Sequence, residues 1–438
     1  MKQGKSLLVI VCLIAVTCTR DMATAQELGA NEPDSIAQRV RNIEDQLRKL
    51  TDAVNGRVKN GHTNSKMSLH GRVHFDHWAF PNADPAIDAI EGAHGPQDRL
   101  AFRRVRIGVK GDIADNVLYR ITIEFANPNA TQYRDVFIGM KKVPFFQKIL
   151  IGNQKRPYSL DQLNSSNANV FIERPFIADA TQQDTRRLGI QSWNVSRDQK
   201  WSWRYGLFNR ENTQNDGRYI SDHYQMEIAA RIANTWLYSD GGRTYGHIAI
   251  AGSFGRTDED NDPAANTARL RSRPEARSTS RWLETGAIAG ADGLHLAGAE
   301  GVFNRGSLQV AGEAMQVWVE RNPQTTTKFW GAYGYVSYFL TGDYTPWDRK
   351  SGTLGKMAPR KNAGPGWGAF QVAARYSYAD FNDRDIMGGK GSSLALGANW
   401  WLNPNSRIQF NYIHGKITNL ATGTGSYDIL GTRFMVFF

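Results

Sequence analysis

The chain has 438 residues, a formal net charge of +11 and 41% hydrophobic residues, a composition that excludes a fully disordered protein. Beyond the N-terminal region no apolar run is long enough for a membrane-spanning helix, which excludes a helical membrane protein. A membrane β-barrel is not excluded, because its segments are short and only half apolar. The basic balance indicates anionic partners without specifying them.

The first 25 residues have the pattern of a secretory signal peptide. Two lysines precede an apolar stretch over residues 7–16, and a small-residue cleavage site ends at Ala25. Both cysteines, Cys12 and Cys18, fall inside this segment. The exported chain is therefore expected to have neither disulfides nor thiolate metal sites.

Residues 34–56 predict a short periplasmic coiled-coil helix. Apolar residues recur there at alternating spacings of four and three: Ile36, Val40, Ile43, Leu47, Leu50 and Val54. About three heptads are marginal alone, so we expect this helix to associate with copies of itself. The alternative is an amphipathic helix packed on its own domain. A polar linker follows over residues 57–67.

From Ser68 onward, apolar and polar residues alternate with a period of two, which is typical of β-strands. The segment "RRVRIGVKG" shows the pattern, with Val105, Ile107 and Val109 on one face and Arg104, Arg106 and Lys110 on the other. Such alternation fits a soluble sandwich, with the apolar face inward, or a membrane barrel, with the apolar face toward lipid.

Three features favour the membrane barrel. The segments run to about 10–12 residues, whereas strands of soluble sheets have about 5–6. Aromatic residues cluster at segment ends, as in "WSWRYGLF" and "NWWLNPN". The last segment, "GTRFMVFF", continues to Phe438, so the final strand can close the barrel against the first and leave no open edge. We predict an all-β transmembrane barrel over residues 68–438.

Seventeen candidate strands begin near residues 68, 99, 116, 132, 147, 186, 200, 222, 245, 281, 294, 307, 327, 367, 392, 406 and 427. A single-chain barrel of this kind needs an even number. The weakest candidate is "RWLETGAIAG", after the basic run "RLRSRPEARSTSR", and assigning both to one external loop leaves about 16 antiparallel strands. This count makes residues 342–366 an unusually long periplasmic connection.

Charged side chains on the polar face are expected to line the lumen: Arg104, Arg106, Lys110, Arg120, Arg204 and Arg375. An arginine facing lipid at mid-bilayer would be destabilising by about 2–4 kcal/mol. The alternative is that these arginines pair with Glu124, Asp135, Glu173, Asp179 or Asp184 and only hold a loop to the wall. His70 and His74 lie about 13 Å apart on a strand and His77 faces away, so we expect no metal site there.

Several blocks resemble the phosphate-selective porin O and P family: "IGNQKRPYSLDQLNSSNANVFIERPF", "YGLFNREN", "YFLTGDYTPW", "WGAFQVAARYS" and "LGANWWLNPNSRIQFNYIHG". The resemblance spans residues 68–438. It implies a trimeric, 16-stranded outer-membrane barrel whose third loop folds inward and narrows the pore. It also implies passive passage of anions, with phosphate or polyphosphate as family substrates.

The connection from Lys155 to Arg187 matches the constricting loop that the resemblance implies. It carries Lys155, Arg156, Arg174, Arg186 and Arg187, which join Arg104, Arg106 and Arg120 as the expected anion-binding residues. The expected partners are small anionic solutes and outer-membrane lipid, with no nucleic acid and no cofactor.

The sequence therefore predicts an anion-selective outer-membrane porin that works by diffusion. A general or sugar-diffusion porin remains the nearest alternative, and a plugged structural or adhesive barrel is a second. An envelope lipid hydrolase is disfavoured, because no serine and histidine pair occurs on one exterior face.

Overall fold

A computed structural model of the chain describes residues 65–127, 129–181, 185–211, 225–257, 267–419 and 421–438, together with the helical positions Gln38 and Asp45. The predicted signal peptide lies outside the described residues. The predicted coiled coil, apart from those two positions, and residues 57–64 of the predicted linker also lie outside them. These assignments stay predictions.

Within residues 66–437, sixteen strands form one closed antiparallel barrel in which each barrel strand pairs with the barrel strands before and after it in the chain. Its sixteen strands are β1 (Lys66–Ala83), β2 (Arg99–Ile113), β3 (Val117–Glu124), β4 (Gln132–Val143), β5 (Gln147–Lys155), β6 (Arg186–Val195), β7 (Trp201–Asn209), β8 (Met226–Ser239), β9 (Thr244–Arg256), β10 (Ala291–Arg305), β11 (Leu308–Arg321), β12 (Thr327–Phe339), β13 (Ala369–Asp383), β14 (Ile386–Asn403), β15 (Ser406–Asn419) and β16 (Gly423–Phe437). The prediction of about 16 antiparallel strands is confirmed.

The barrel closes where β16 pairs with β1, from Arg72 opposite Phe437 to Ala83 opposite Tyr427. Gly71 and Phe438 exchange two backbone hydrogen bonds of 3.0 and 3.1 Å at the end of this seam. A Cβ atom at Gly71 would come within 2.5 Å of the Phe438 ring, so only glycine fits beside that ring. The final residue of the chain thus takes part in closure.

The outer surface of the barrel is apolar and has aromatic residues at both ends. On β12 the alternate residues Trp330 and Tyr338 are exposed, while Phe329 and Phe339 are buried. Trp330 and Tyr338 are separated by about 26 Å along the strand at ~3.3 Å per residue. At the ~35–45° tilt of such strands this is roughly 20 Å along the barrel axis, which fits within the ~25 Å apolar band of outer-membrane barrels. The exposed apolar side chains are therefore the lipid-facing surface.

Connections at one end of the barrel, the turn end, are short: residues 114–116, 144–146, 196–200, 240–243, 306–307 and 404–405. The exception is residues 340–368, here called the inner hairpin, which contains the paired strands Trp347–Asp348 and Thr353–Leu354. This agrees with the long connection expected over residues 342–366. The 3-10 helix Asp240–Gly242 forms one of the short turns.

Most connections at the opposite end are longer. Helix α1 (Pro85–Glu91) lies between β1 and β2, and helices α2 (Leu160–Leu163) and α3 (Phe176–Thr181) lie between β5 and β6. The outer loop, residues 257–290, contains the short strands Thr267–Ala268, Arg271–Ser272, Leu283–Glu284 and Ile288–Ala289. The weakest strand candidate therefore belongs to a loop, as expected. Within the described residues, no helix is both long and apolar enough for a membrane span.

Candidate functional site

Loop 3, described over residues 156–181 and 185, folds into the barrel and packs against one side of its wall. Phe171, Phe176 and Ile177 are buried in the same apolar cluster as lumen-facing residues of β12 to β15. The rings of Phe171 and Tyr335 lie 5.9 Å apart in an edge-on arrangement. Burial of this apolar face holds loop 3 against the β12–β15 wall and leaves the opposite side of the lumen open.

Cationic side chains also hold the backbone of loop 3. The Lys155 ammonium donates to the carbonyl oxygens of residues 162, 163 and 164 at 2.6, 2.9 and 3.0 Å. Arg407 donates to the carbonyl oxygens of residues 167, 169 and 170 at 3.3, 2.8 and 3.2 Å. Asn399 and Gln409 donate further bonds to the carbonyl groups of residues 169 and 170. Together with the charge-assisted bonds from Lys155 and Arg407, they fix the course of the loop.

Glu173 joins loop 3 to the barrel seam. Arg103 donates to both of its carboxylate oxygens at 2.7 and 3.1 Å, and Arg433 donates at 2.7 Å. Arg433 also forms two 2.6 Å bonds to Asp76 across the β1–β16 seam. Burial opposes ionisation of Glu173, but the Arg103 and Arg433 guanidinium groups outweigh it and hold the pKa of Glu173 well below its usual range.

A second carboxylate of loop 3 behaves differently. Asp161 lies 3.5 Å from Arg174, at ion-pair distance, but it is buried near other carboxylates. Burial raises the pKa of Asp161 above its usual value, in spite of the nearby Arg174 and Arg375. Loop 3 therefore contains one carboxyl group whose charge is stabilised and one whose charge is disfavoured.

A cavity of about 820 Å³ occupies the side of the lumen that loop 3 leaves open. Its wall includes residues from β1 to β7, loop 3, the outer loop and the inner hairpin. Four carboxylates line it: Asp76, Glu124, Asp135 and Asp179. Thirteen arginines and one lysine line it: Arg72, Arg99, Arg103, Arg104, Arg106, Arg120, Arg134, Arg174, Arg186, Arg204, Arg273, Arg277, Arg281 and Lys155.

Two β-bulges increase the number of charged residues in this cavity. On β2, His74 pairs with Arg104 and Phe75 with Phe102, so Arg103 is an extra residue between them. Arg103 and Arg104 both line the cavity for this reason. On β4 a second register shift likewise places the consecutive residues Arg134 and Asp135 on the cavity wall. Strict alternation along a strand would have directed one member of each pair to lipid.

Six of the eight residues expected to bind anions line the cavity: Arg104, Arg106, Arg120, Lys155, Arg174 and Arg186. The other two do not. Arg156 forms a 2.7 Å ion pair with Glu227, and Arg187 donates to the backbone carbonyls of Arg186 and Arg210. Of the further residues expected in the lumen, Arg204 lines the cavity. Arg375 instead pairs with Glu275 of the outer loop at 2.8 Å.

Sequence reasoning missed the arginines of the outer loop as cavity residues. The basic run was assigned to an external loop, but Arg273, Arg277 and Arg281 line the cavity. Asp179 of loop 3 holds the run there, through a 2.9 Å bond from Arg281 and a 3.1 Å bond from the Arg273 backbone N–H. The high density of arginine in "RLRSRPEARSTSR" was the sequence signal that could have indicated a position at the cavity.

Several cavity arginines are paired with carboxylates, as the alternative interpretation anticipated. Arg106 pairs with Glu124 at 2.6 Å, and Arg186 donates to both oxygens of Asp135 at 2.9 and 3.0 Å. Arg120 approaches the same aspartate at 3.6 Å. Asp184, another expected partner, lies outside the described residues.

Other cavity arginines contact neutral groups. Among the described residues, Arg72, Arg104, Arg204 and Arg277 have no carboxylate at ion-pair distance. Arg72 donates to the Ser166 hydroxyl at 2.8 Å, and Arg204 donates to the Ser351 carbonyl at 2.6 Å while stacking on Trp193. The nearby Arg103 guanidinium, together with burial, lowers the pKa of Arg277 to about 9.

The inner hairpin enters the lumen from the turn end and reaches loop 3. Trp193 donates to the Lys350 carbonyl at 3.2 Å, and Arg231 donates to the Gly352 carbonyl at 2.9 Å. The Leu354 backbone N–H donates to the Asn164 side chain of loop 3 at 2.9 Å. The cavity is thus bounded by loop 3 at its side and by the inner hairpin at its turn end.

The described residues contain no group of three or more histidine, cysteine, aspartate or glutamate side chains that could hold a metal. His70 contacts Thr122 at 3.0 Å, His74 contacts Arg104 and Asn167, and His77 is exposed on the other face. The histidines of β1 therefore make separate contacts along the strand.

A closed sixteen-stranded barrel with an apolar exterior, aromatic ends and a loop folded into a polar lumen defines an outer-membrane porin. The family model described as "Phosphate-selective porin O and P" matches residues 69–438, and the chain belongs to this family. The protein is accordingly located in the outer membrane.

Comparisons with individual proteins agree with the fold. An uncharacterized protein of Caulobacter vibrioides is 28% identical over 375 residues, which cover 79% of this chain and 71% of the relative. An anion-selective porin from Comamonas acidovorans superposes with a TM-score of 0.52 at 13% identity, over 85% of this chain and 99% of the porin. OmpT of Vibrio cholerae superposes with a TM-score of 0.54 at 12% identity, over 87% of this chain and 99% of OmpT.

Proposed function

We propose that this porin gives passive, anion-selective diffusion through a basic lumen narrowed by loop 3. The observation that carries the proposal is the composition of the cavity wall, in which thirteen arginines and one lysine face four carboxylates. Such an excess of positive charge in a narrow space concentrates anions and repels cations. Membership of the phosphate-selective family and the similarity to an anion-selective porin are consistent with it.

In this mechanism the solute moves down its gradient without an energy source or a covalent step. Arginines of the outer loop, including Arg273 and Arg277, attract the anion at the loop end. Arg72, Arg104 and Arg120 then replace part of its hydration inside the cavity, and Arg204 lies at the turn-end exit. Because these groups present several weak sites in succession, the anion is attracted without being trapped.

Phosphate or a polyphosphate-like anion is the proposed preferred solute. Guanidinium groups suit phosphate, because their donors form paired hydrogen bonds with two oxygen atoms of the same anion. The expected anion-binding residues that line the cavity are Arg104, Arg106, Arg120, Lys155, Arg174 and Arg186. Lys155 is assigned mainly to holding loop 3, since its three donors are occupied by carbonyl groups.

The assembly is proposed to be a homotrimer in the outer membrane, in contact with lipid through its apolar surface. One solved structure of OmpT from Vibrio cholerae, at 10% identity and a TM-score of 0.51, is described as a trimer form. The predicted coiled coil over residues 34–56 would contribute to association. Deleting residues 34–56 should lower the oligomeric mass in detergent, which analytical ultracentrifugation measures.

The decisive experiment is the reversal potential of the refolded protein in a planar bilayer across a potassium chloride gradient. An anion-selective current that phosphate blocks at low concentration supports the full proposal. An anion-selective current that phosphate leaves unchanged supports a general basic porin, and block by sugars would favour sugar diffusion. Absence of current in correctly folded protein would contradict the channel function and favour a plugged structural barrel.

A further inference from the structure

Two arginines and a histidine form a cluster on β1 and β2, beneath residues 165–167 of loop 3. Arg72 and His74 lie two positions apart on β1, and Arg104 is opposite His74 on β2. His74 has no solvent exposure, Arg104 is 3% exposed, and Arg72 and Arg104 both line the cavity. All three side chains are therefore fixed by their surroundings where the cavity meets loop 3.

Hydrogen bonding determines which nitrogen of His74 carries the proton. Arg104 Nη1 lies 3.3 Å from His74 Nδ1, and His74 Nε2 lies 3.1 Å from the Asn167 side-chain oxygen. A guanidinium can only donate, so Nδ1 must accept. Nε2 then carries the hydrogen and donates to loop 3. Both contacts are satisfied by the neutral imidazole alone, because a proton on Nδ1 would face the Arg104 donor.

The surroundings of His74 are otherwise cationic. Arg72, Arg104 and Arg433 act on it electrostatically, from β1, β2 and β16 respectively. The nearby carboxylates Asp76 and Glu173 are engaged by Arg433 and Arg103. Arg104 consequently contacts an uncharged acceptor, and its buried Nε has no hydrogen-bond partner among the described residues. No carboxylate therefore neutralises Arg104 at ion-pair distance among the described residues, and the part of its side chain that lines the cavity can interact with a ligand there.

We propose that His74 is a positioning residue that directs Arg104 toward the cavity while leaving its charge uncompensated, so that Arg104 and Arg72 together bind a small permeating anion. This inference rests on the proposed function. A carboxylate at position 74 would hold the same arginine in a similar place but would cancel its charge. The neutral acceptor is thus the feature that makes this pair of arginines an anion site instead of an ion-pair network.

The test compares His74→Asn with His74→Asp, because the Asn and Asp side chains have nearly the same shape as each other. In both, the side-chain oxygen can take the place of Nδ1 and accept from Arg104, and only Asp adds a negative charge. The readout is the chloride-to-potassium permeability ratio from the reversal potential of the complete refolded chain. We expect His74→Asn to stay within about twofold of the wild type and His74→Asp to lower the ratio roughly fivefold.

Equal ratios for the Asn and Asp variants would overturn the inference, since a purely structural role for His74 does not depend on charge. If the wild type prefers anions and both variants keep that preference, the proposed function stands and only the inference fails. A wild type without anion preference would contradict both the proposed function and the inference. If His74→Asp does not refold, Arg104→Gln keeps a donor for Nδ1 and removes the charge. It should lower the ratio similarly, and an unchanged ratio would overturn the inference.

Discussion

Strands β13 to β16 and strands β1 to β7 both direct arginines into the lumen, but the partners of these arginines differ. Arg375 pairs with Glu275 of the outer loop, Arg407 binds three carbonyl groups of loop 3, and Arg433 holds Asp76 and Glu173. On the other side, Arg72 and Arg104 contact a hydroxyl and an imidazole and border the cavity. Arg375, Arg407 and Arg433 therefore anchor loops, whereas Arg72 and Arg104 remain available to solutes. Arg103, Arg106 and Arg186 also lie on the cavity side, but they are paired with carboxylates.

This comparison shows that the presence of an arginine in a porin lumen does not by itself identify an anion site. A guanidinium whose donors are all directed at carbonyl groups or carboxylates contributes to stability and has little left to offer a solute. The partner of each arginine decides its role. Anchoring and solute-facing arginines can therefore be separated experimentally, because variants of the first group should alter stability and variants of the second should alter selectivity.

The largest expected effect is on stability and follows from Arg433→Met. This change removes two 2.6 Å bonds to Asp76 and leaves that buried carboxylate without its partner at the barrel seam. We expect a loss of about 3–5 kcal/mol in the free energy of unfolding. Denaturant unfolding in detergent micelles measures it, with Arg277→Met as a control. A loss no larger than that of the control would show that the seam does not depend on this pair.

A smaller loss of stability is expected from Lys155→Met. Three carbonyl groups of loop 3 would lose their shared donor, which corresponds to about 1–3 kcal/mol in the free energy of unfolding. Loop 3 should also become more mobile, which would raise the fluctuations of the single-channel current. The matched control is Lys110→Met, an exposed lysine on β2. Identical current noise in the two variants would contradict a role of Lys155 in holding the loop.

Acid should destabilise the loop 3 anchor. Because the pKa of Glu173 is held well below its ordinary value of 4.5, its ionised form contributes stability that is present above about pH 4.5 and is lost as the pH falls. The melting temperature of the wild type should drop on acidification below that value. Glu173→Gln should show a smaller drop, measured by circular dichroism. An equally steep pH dependence in the variant would assign the acid sensitivity to other carboxylates.

Most of the barrel could be predicted from the sequence, because alternation of apolar and polar residues persists along strands of 13 to 18 residues such as β1 and β12. The largest errors in strand starts occurred at β8, β14 and β16. Strand β14 begins at Ile386, not near residue 392, because the glycine-rich segment "MGGKG" shows no alternation. The fold follows from a pattern repeated in many segments, and local irregularities change only the boundaries.

The candidate site could be predicted only in part. Arg104, Arg106 and Arg120 follow from strand alternation. The consecutive arginines 103 and 104 interrupt that alternation, but the interruption alone does not show that a bulge turns both toward the lumen. The roles of Arg156, Arg375 and Arg407 depend on contacts between residues far apart in the chain, such as the bond from Arg407 to the carbonyl of residue 169. Such contacts appear only when the loops are folded into the barrel.

Replacing a solute-facing arginine is expected to change the free energy less than the stability variants above do. Its effect on ion selectivity nevertheless tests most directly the division between anchoring and solute-facing arginines. The measurement is the reversal potential across a chloride gradient for Arg72→Gln and Arg407→Gln, each refolded and compared with the wild type. Both variants remove one positive charge from a lumen-facing arginine. We expect the anion-to-cation permeability ratio to fall about threefold for Arg72→Gln and to change by less than about 1.5-fold for Arg407→Gln. Equal losses in the two variants, or a larger loss for Arg407→Gln, would contradict the division between anchoring and solute-facing arginines.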